Sequence, residues 1–430
     1  MADEQHSSHE GQSLSAANPL ATIDQRALED TALKVLARPD LKKTRELVAM
    51  LWRQAVAYPA RDQMSRFENM IDEYLFNYIA RAVNSDTNYP KALRIMAPAH
   101  RWFGRDVPGS RWGGDSPDFI YRIIPIGHGG RYEIHCIPQG HTPPPGISFQ
   151  LLAMRAAPVS LGVLESVAMT PNARGEFVIS IDETAADGRT NHLQTKPGVD
   201  HVIVRDELGD WLKQTPHDIR VKRLNAADRA PLSEDELAQR AAQMALDSLY
   251  YTYYTTRSGA GQAPNEVRVP VSSRAFGGMP TQWGTKGNLV LAEDEALIAT
   301  ANAAGAQFRN TMLTDLFHMS ISYWSSTSSL NMLQMTADQD GRFTYVVAHQ
   351  DPGVHNWLNT NGLTRTIFGH RWQAIPSSYT GETPAISVRV VKFKDLHKEL
   401  PPGVARIDAR GREQQLAARA AGFRRRFIDQ

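Results

Sequence analysis

The sequence predicts an α+β protein: two related antiparallel β-sandwich or jelly-roll-like lobes with an N-terminal helical region and linking and C-terminal helices. Three observations predict it. A helix-period apolar stripe lies near the start, short alternating runs fill two separate later stretches, and those stretches resemble each other.

Residues 1–22 are small, polar and unpatterned, and read as a tail carrying His6 and His9. Residues 23–100 read as helical. Leu28, Leu47, Leu51 and Trp52 fall in apolar segments interrupted by Pro39, and Met64, Phe67, Ile71, Tyr74 and Tyr78 share one helix face. Residues 101–230 read as the first β-rich lobe. They open with a Gly-, Pro- and aromatic-rich stretch, and strand patterns follow at 131–137, 175–182, 201–205 and 219–224.

Residues 231–305 read as helices and a long Gly-rich loop. Ser233 and Glu236 fit a capping box, and Leu237, Ala241, Met244, Ser248 and Tyr251 form a stripe. The stretch 258–288, with Gly259, Gly261, Gly277, Gly278, Gly284 and Gly287, reads as a loop covering a site, and 293–302 as a short helix. Residues 306–400 read as the second β-rich lobe. Residues 401–430 read as a C-terminal amphipathic helix with Leu416, Ala420, Phe423 and Phe427 on one side, and with Arg424, Arg425 and Arg426 at a solvated end.

The self-similarity is the most informative pattern. Gly175-Glu176-Phe177, Asn191-His192-Leu193-Gln194-Thr195 and a strand ending in Arg205 match Gly341-Arg342-Phe343, Asn356-Trp357-Leu358-Asn359-Thr360 and a strand ending in Arg371. Gly and Asn lie 16 residues apart in the first unit and 15 in the second. Each unit reads as turn, strand, Asn-x-Leu-x-Thr connector, strand. Asparagine suits the connector because its side chain can tie a turn together.

The segments Gly114-Asp115-Ser116-Pro117-Asp118-Phe119-Ile120-Tyr121 and Asp351-Pro352-Gly353-Val354-His355-Asn356-Trp357-Leu358, with Arg371-Trp372, resemble bacterial proteins of family 1214 in the domain-of-unknown-function series. The resemblance covers roughly residues 100–375. It implies β-sandwich or jelly-roll lobes with added helices, and no reaction.

The densest chemistry is at 349–357. His349, Asp351 and His355 are the expected catalytic groups: a histidine exchanges protons near neutral pH, and an aspartate beside it fixes its tautomer. Asn356, Trp357 and Arg371 are expected to bind substrate, Arg371 through an anionic group, with Trp283, Trp324 and Tyr253 supplying apolar walls. The blander reading makes Asp-Pro-Gly a turn, buries Trp357, and pairs Arg371 with Asp351. Asp115, Asp118 and Tyr121 read as an acid–base set or as a stitched turn. His128, His135, Cys136 and His141 match no strong metal motif, so no metal is expected.

Charge excludes a polycation for nucleic acid: 47 Lys+Arg stand against 46 Asp+Glu. One cysteine excludes an internal disulfide. No membrane span and no nucleotide, flavin, P-loop, GxSxG or HExxH motif is present. The expectation is a cytoplasmic, cofactor-independent hydrolase or lyase for a small, partly apolar, anionic molecule, with no nucleic-acid or membrane partner. A non-catalytic binding or assembly protein is the alternative, and a homo-oligomer through the terminal helices a further partner reading.

Overall fold

The computed structural model describes residues 13–15, 18–56, 61–154, 158–276 and 279–427. His6, His9, Gly277 and Gly278 lie outside them. No helix among the described residues is long and apolar enough to cross a membrane.

Helices α1 (Ile23–Leu36), α2 (Pro39–Val56) and α3 (Phe67–Val83) open the chain. Pro39 does not break a helix but starts one, at the position where its missing N–H costs nothing. The stripe Phe67, Ile71, Tyr74 and Tyr78 is buried as its spacing predicts, and the Tyr74 hydroxyl donates to the Ala245 carbonyl at 2.5 Å. Leu47 and Leu51 face outward instead. The helical region also ends early, because β1 (Leu93–Ile95) and β2 (His100–Trp102) are strands.

The first lobe continues with β3 (Arg105–Val107), β4 (Phe119–Pro125), β5 (Tyr132–Ile137), β6 (Ile147–Met154), β7 (Pro158–Glu165), β8 (Phe177–Asp182), β9 (His192–Gln194), β10 (His201–Glu207) and β11 (Asp218–Arg223). Then come α4 (Glu234–Asp247), opened by the Ser233–Glu236 capping box, and α5 (Leu249–Ala260). The second lobe holds β12 (Glu266–Val267), β13 (Val271–Ser272), β14 (Trp283–Val290), β15 (Glu295–Ala301), β16 (Phe308–Thr314), β17 (Ser329–Asn331), β18 (Phe343–Ala348), β19 (Trp357–Asn359), β20 (Arg365–Gln373) and β21 (Ile386–Lys392). Helices α6 (Leu396–Glu399) and α7 (Ala409–Arg424) close the chain.

The lobes share one topology. The first has sheets β1-β4-β10-β6-β7 and β11-β5-β8-β9; the second has β12-β14-β20-β16-β17 and β21-β15-β18-β19. From β4 and β14 onward the strands match one for one, including the parallel pairs β8–β9 and β18–β19. Each lobe is a sandwich with its core between its two sheets: Ile134, Phe149 and Val204 in one, Leu297, Tyr345 and Phe368 in the other.

The connector asparagines explain the match. Asn191 accepts from the Thr170 N–H at 2.9 Å and donates to its carbonyl at 2.7 Å. Asn356 does the same to Thr336, at 2.9 and 2.7 Å, and also donates to the Thr344 carbonyl. Gly175 and Gly341 take left-handed φ of 77° and 79° at the preceding turns. Asn356 is buried and Asn191 only half-buried. Asn356→Ala is therefore expected to lose about 3 kcal/mol, orphaning buried groups, and Asn191→Ala about 1 kcal/mol, where water can substitute; urea unfolding midpoints check the difference.

Two sequence expectations fail here. Residues 293–302 hold strand β15, not a helix. Its alanines are buried on both faces, Ala299 and Ala301 in the sandwich and Ala296 under Leu396 and Val404, so no alternation marks the strand. The Gly-rich loop ends at β14: a Cβ on Gly287 would meet the Glu266 carbonyl at 2.5 Å, so this glycine permits strand pairing.

The outer faces of the two larger sheets face each other, tied by Asn310 and Asn331 donating to Asp118 at 3.1 and 2.7 Å and by Gln373 donating to Glu207 at 3.1 Å. Helix α7 packs on both lobes. Arg426 is buried against Trp211 and is not part of a solvated end; Arg424 and Arg425 are exposed.

Candidate functional site

A cavity of about 450 Å³ lies between the lobes. Strand alternation builds its floor: on β10, Val202 and Val204 point into the sandwich, while His201, Ile203 and Arg205 point out of it. On β20, Phe368 and Trp372 point inward and Arg371 outward. Helix α3 adds Arg81, α5 adds Tyr251, and β14 adds Lys286. The repeat thus brings its two terminal arginines, Arg205 and Arg371, to one space. Phe119, Trp112, Tyr121 and Met279 give it apolar walls.

Four basic side chains and one carboxylate, Asp115, line this cavity among the described residues. Arg81 is committed: its Nε donates to Asn77 at 2.7 Å. Arg371 Nη2 donates to the Gly114 carbonyl at 3.1 Å. That carbonyl is presented by two successive left-handed glycines, Gly113 and Gly114, at φ 72° and 78°. Arg205 Nη1 is buried with no hydrogen-bond partner among the described residues. Burial works against its charge and lowers the pKa of its guanidinium. The Lys286 side chain is open to the cavity, and its ammonium makes no ion pair or hydrogen bond among the described residues. Burial within the molecule, then Arg371 and Arg268, bring its ammonium down to about 8.

Asp115 does not neutralise the set. Its carboxylate accepts from the Ser320 N–H at 3.1 Å and the Ser320 hydroxyl at 2.5 Å, and burial pushes it up to about 6 against the pull of Arg111. His201 is buried, with Nδ1 against the Asp200 carboxylate and Nε2 lacking a partner among the described residues. An aspartate on Nδ1 leaves Nε2 as the proton acceptor. His201 and Arg81 also border an adjoining cavity of about 630 Å³.

The expected residues scatter, and only Arg371 lines this cavity. His349 has both ring nitrogens engaged, Nδ1 with Thr360 at 2.7 Å and Nε2 with the Leu291 carbonyl at 3.2 Å. Asp351 pairs with Arg412 at 2.9 Å, not with Arg371. His355 borders a different cavity beside α7, and Asn356 is the connector brace. Trp357 is buried, donating to the Ala348 carbonyl at 3.1 Å. Trp283 packs on the second sandwich core and Trp324 on Phe423. Tyr253 accepts from Arg257 outside the cavity, which Tyr251 lines instead; two residues turn a helix by about 200°.

Asp118 is saturated by Trp211, Asn310 and Asn331 and joins the lobes. The Tyr121 hydroxyl accepts from the Ser116 N–H. His135 meets Glu133 at 2.6 Å on the solvent face of β5, while Cys136 is in the core with its thiol raised by burial. No group of three metal-ligating side chains occurs among the described residues. Arg205 carried a sequence signal as the counterpart of Arg371; Lys286 and His201 carried none beyond their residue type.

Next to the cavity floor, Glu207 is buried on the lobe interface. Burial first, then Glu165, Asp206 and Asp118, raise its carboxyl to about 8. The folded protein then holds a proton that the unfolded chain releases near 4.5, so this contribution is full below pH 4.5 and is lost as pH rises to about 8. Glu207→Gln is expected to raise the melting temperature at pH 8 and leave it unchanged at pH 5; thermal unfolding at both pH values checks this.

The architecture recurs in a crystal structure of an uncharacterized protein from Burkholderia cenocepacia. It is 21% identical, with a TM-score of 0.68, over 84% of this chain and 99% of that one. That likeness establishes the fold. A structure from Vibrio parahaemolyticus is 12% identical, with a TM-score of 0.40, over 80% of this chain and 100% of that one. No protein-family model and no curated protein matches the chain.

Proposed function

We propose that the inter-lobe cavity binds a small anionic molecule with an apolar or aromatic body and turns it over without an organic cofactor, as a hydrolase or lyase. The observation that carries the reading is the convergence of Arg205, Arg371, Lys286 and Arg81 on one cavity whose sole carboxylate among the described residues, Asp115, is taken up by Ser320. A guanidinium holds a carboxylate, sulfate or phosphate through paired charge-assisted hydrogen bonds, and Arg205 has that capacity unspent. The aromatic walls suit the rest of the molecule. His201, oriented by Asp200, supplies the proton acceptor. Membership of family 1214 and a cytoplasmic setting belong to the same proposal, the former on the 114–121 and 351–358 segments.

Calorimetric titration with 3-phenylpropionate, phenyl phosphate and neutral 3-phenylpropanol tests the reading. The two anions are expected to bind, more weakly as salt rises, and the alcohol is not. Equal binding of the alcohol, or no binding of any probe, would overturn it.

A further inference from the structure

We propose that Lys286 is a carbonyl-capturing amine, condensing with the ketone of an oxo acid whose carboxylate Arg205 and Arg371 hold. The inference deepens the anion-binding reading above and rests on it.

The placement comes from the ladder of β14 and β20. Lys286 stands opposite Gly369, and Arg371 opposite Gly284. Directly opposed residues share a face, so both cations project from one side of the sheet and lie diagonally, ~7 Å apart at the backbone. On this ladder each faces a glycine, and the residue opposite Arg371 on β16, Asn310, carries no charge, so neither meets a counter-ion there. Across the cavity stands Arg205, the equivalent of Arg371 in the other lobe. Lys286 is the only amine lining the cavity among the described residues. His318, buried behind this wall, is kept neutral by burial and by Lys286 and Arg371, so it adds no charge of its own.

An amine among fixed cations gives up its proton far more readily than one facing a carboxylate. The arginines keep theirs and continue to hold the anion. The cavity therefore offers a nucleophilic amine and an anion clamp within one small ligand's reach. In the step, the neutral Nζ attacks the carbonyl carbon. A C–N double bond replaces the C–O double bond, both Nζ hydrogens leave with the oxygen as water, and one added proton makes the iminium. The iminium draws electrons from the adjacent carbon, where His201 Nε2 is the cavity's acceptor for a departing proton.

The test uses phenylpyruvate with sodium cyanoborohydride on the full-length protein, read by intact mass and peptide mapping. One reduced adduct on Lys286 is expected, suppressed by excess 3-phenylpropionate and reduced at least tenfold in Lys286→Arg. Lys286→Met, with its melting curve compared to the parent, guards against a folding defect. If 3-phenylpropionate binds but adducts scatter over surface lysines or persist in Lys286→Arg, the amine proposal fails and the anion-binding reading stands. If neither compound binds, both fail.

Discussion

Replacing Arg205 or Arg371 by Met is expected to weaken anion binding by about 10- to 100-fold each, the worth of a charge-assisted hydrogen bond in a partly dry site. The double variant should abolish it and flatten its dependence on salt. Folding should survive at Arg205, because its Nη1 bonds to nothing among the described residues and burial opposes its charge; removing it relieves a cost. Arg371→Met releases the Gly114 carbonyl and so should also loosen the 113–115 wall. Calorimetry at two salt concentrations, beside thermal melts, separates the effects. An unchanged affinity in the Arg205 variant would remove the cavity from consideration.

The second large effect is on stability. Glu73, on α3, accepts from Arg111 Nε at 2.9 Å, Nη2 at 2.5 Å and the backbone N–H at 3.1 Å. Arg111 Nη1 donates to the Ser320 carbonyl at 2.6 Å. Both partners are buried. Burial works against the guanidinium's charge, but Glu73 more than offsets it and holds its pKa above the ordinary value. Glu73→Ala strands a buried cation and should cost about 3–5 kcal/mol, a large part of a typical domain's stability. The paired change Glu73→Met with Arg111→Met should recover much of that. A urea-unfolding double-mutant cycle measures it. A loss under about 1 kcal/mol for Glu73→Ala would mean that water reaches the pair. Arg111 also begins the loop that presents Gly114 and Asp115, so the single variant should lose anion binding before it unfolds.

Much of the fold was legible wherever one physical period dominated. The α3 stripe has a single buried face, the α4 cap is a local exchange of hydrogen bonds, and the connector asparagines do the same work twice. Legibility failed where neighbours decided. β15 is buried on both sides, so its pattern does not alternate, and its alanines mimic a helix. β14 needs glycine because β12 comes close. On α7, Arg412 and Arg419 are buried by bonding carbonyls, such as Val354 and Tyr323, and the apolar stripe alone could not reveal that face. The site was half legible. Arg371 was singled out, and Arg205 stood in the repeat as its counterpart. The histidine–aspartate logic applied to His349 and Asp351 fits His201 and Asp200 instead, because the outward face of β10 meets the cavity and the 349–351 turn does not.

The tie between Glu207 and Gln373 joins residues at the same place in the two lobes, each two positions beyond its arginine. A chain of half this length could assemble such a cavity only as a symmetric homodimer, with both arginines obliged to be identical in surroundings. Fusing the halves lifts that obligation. One guanidinium can stand beside Tyr121 and the other beside a lysine-bearing strand, so a ligand with two unlike ends has a single preferred way to enter.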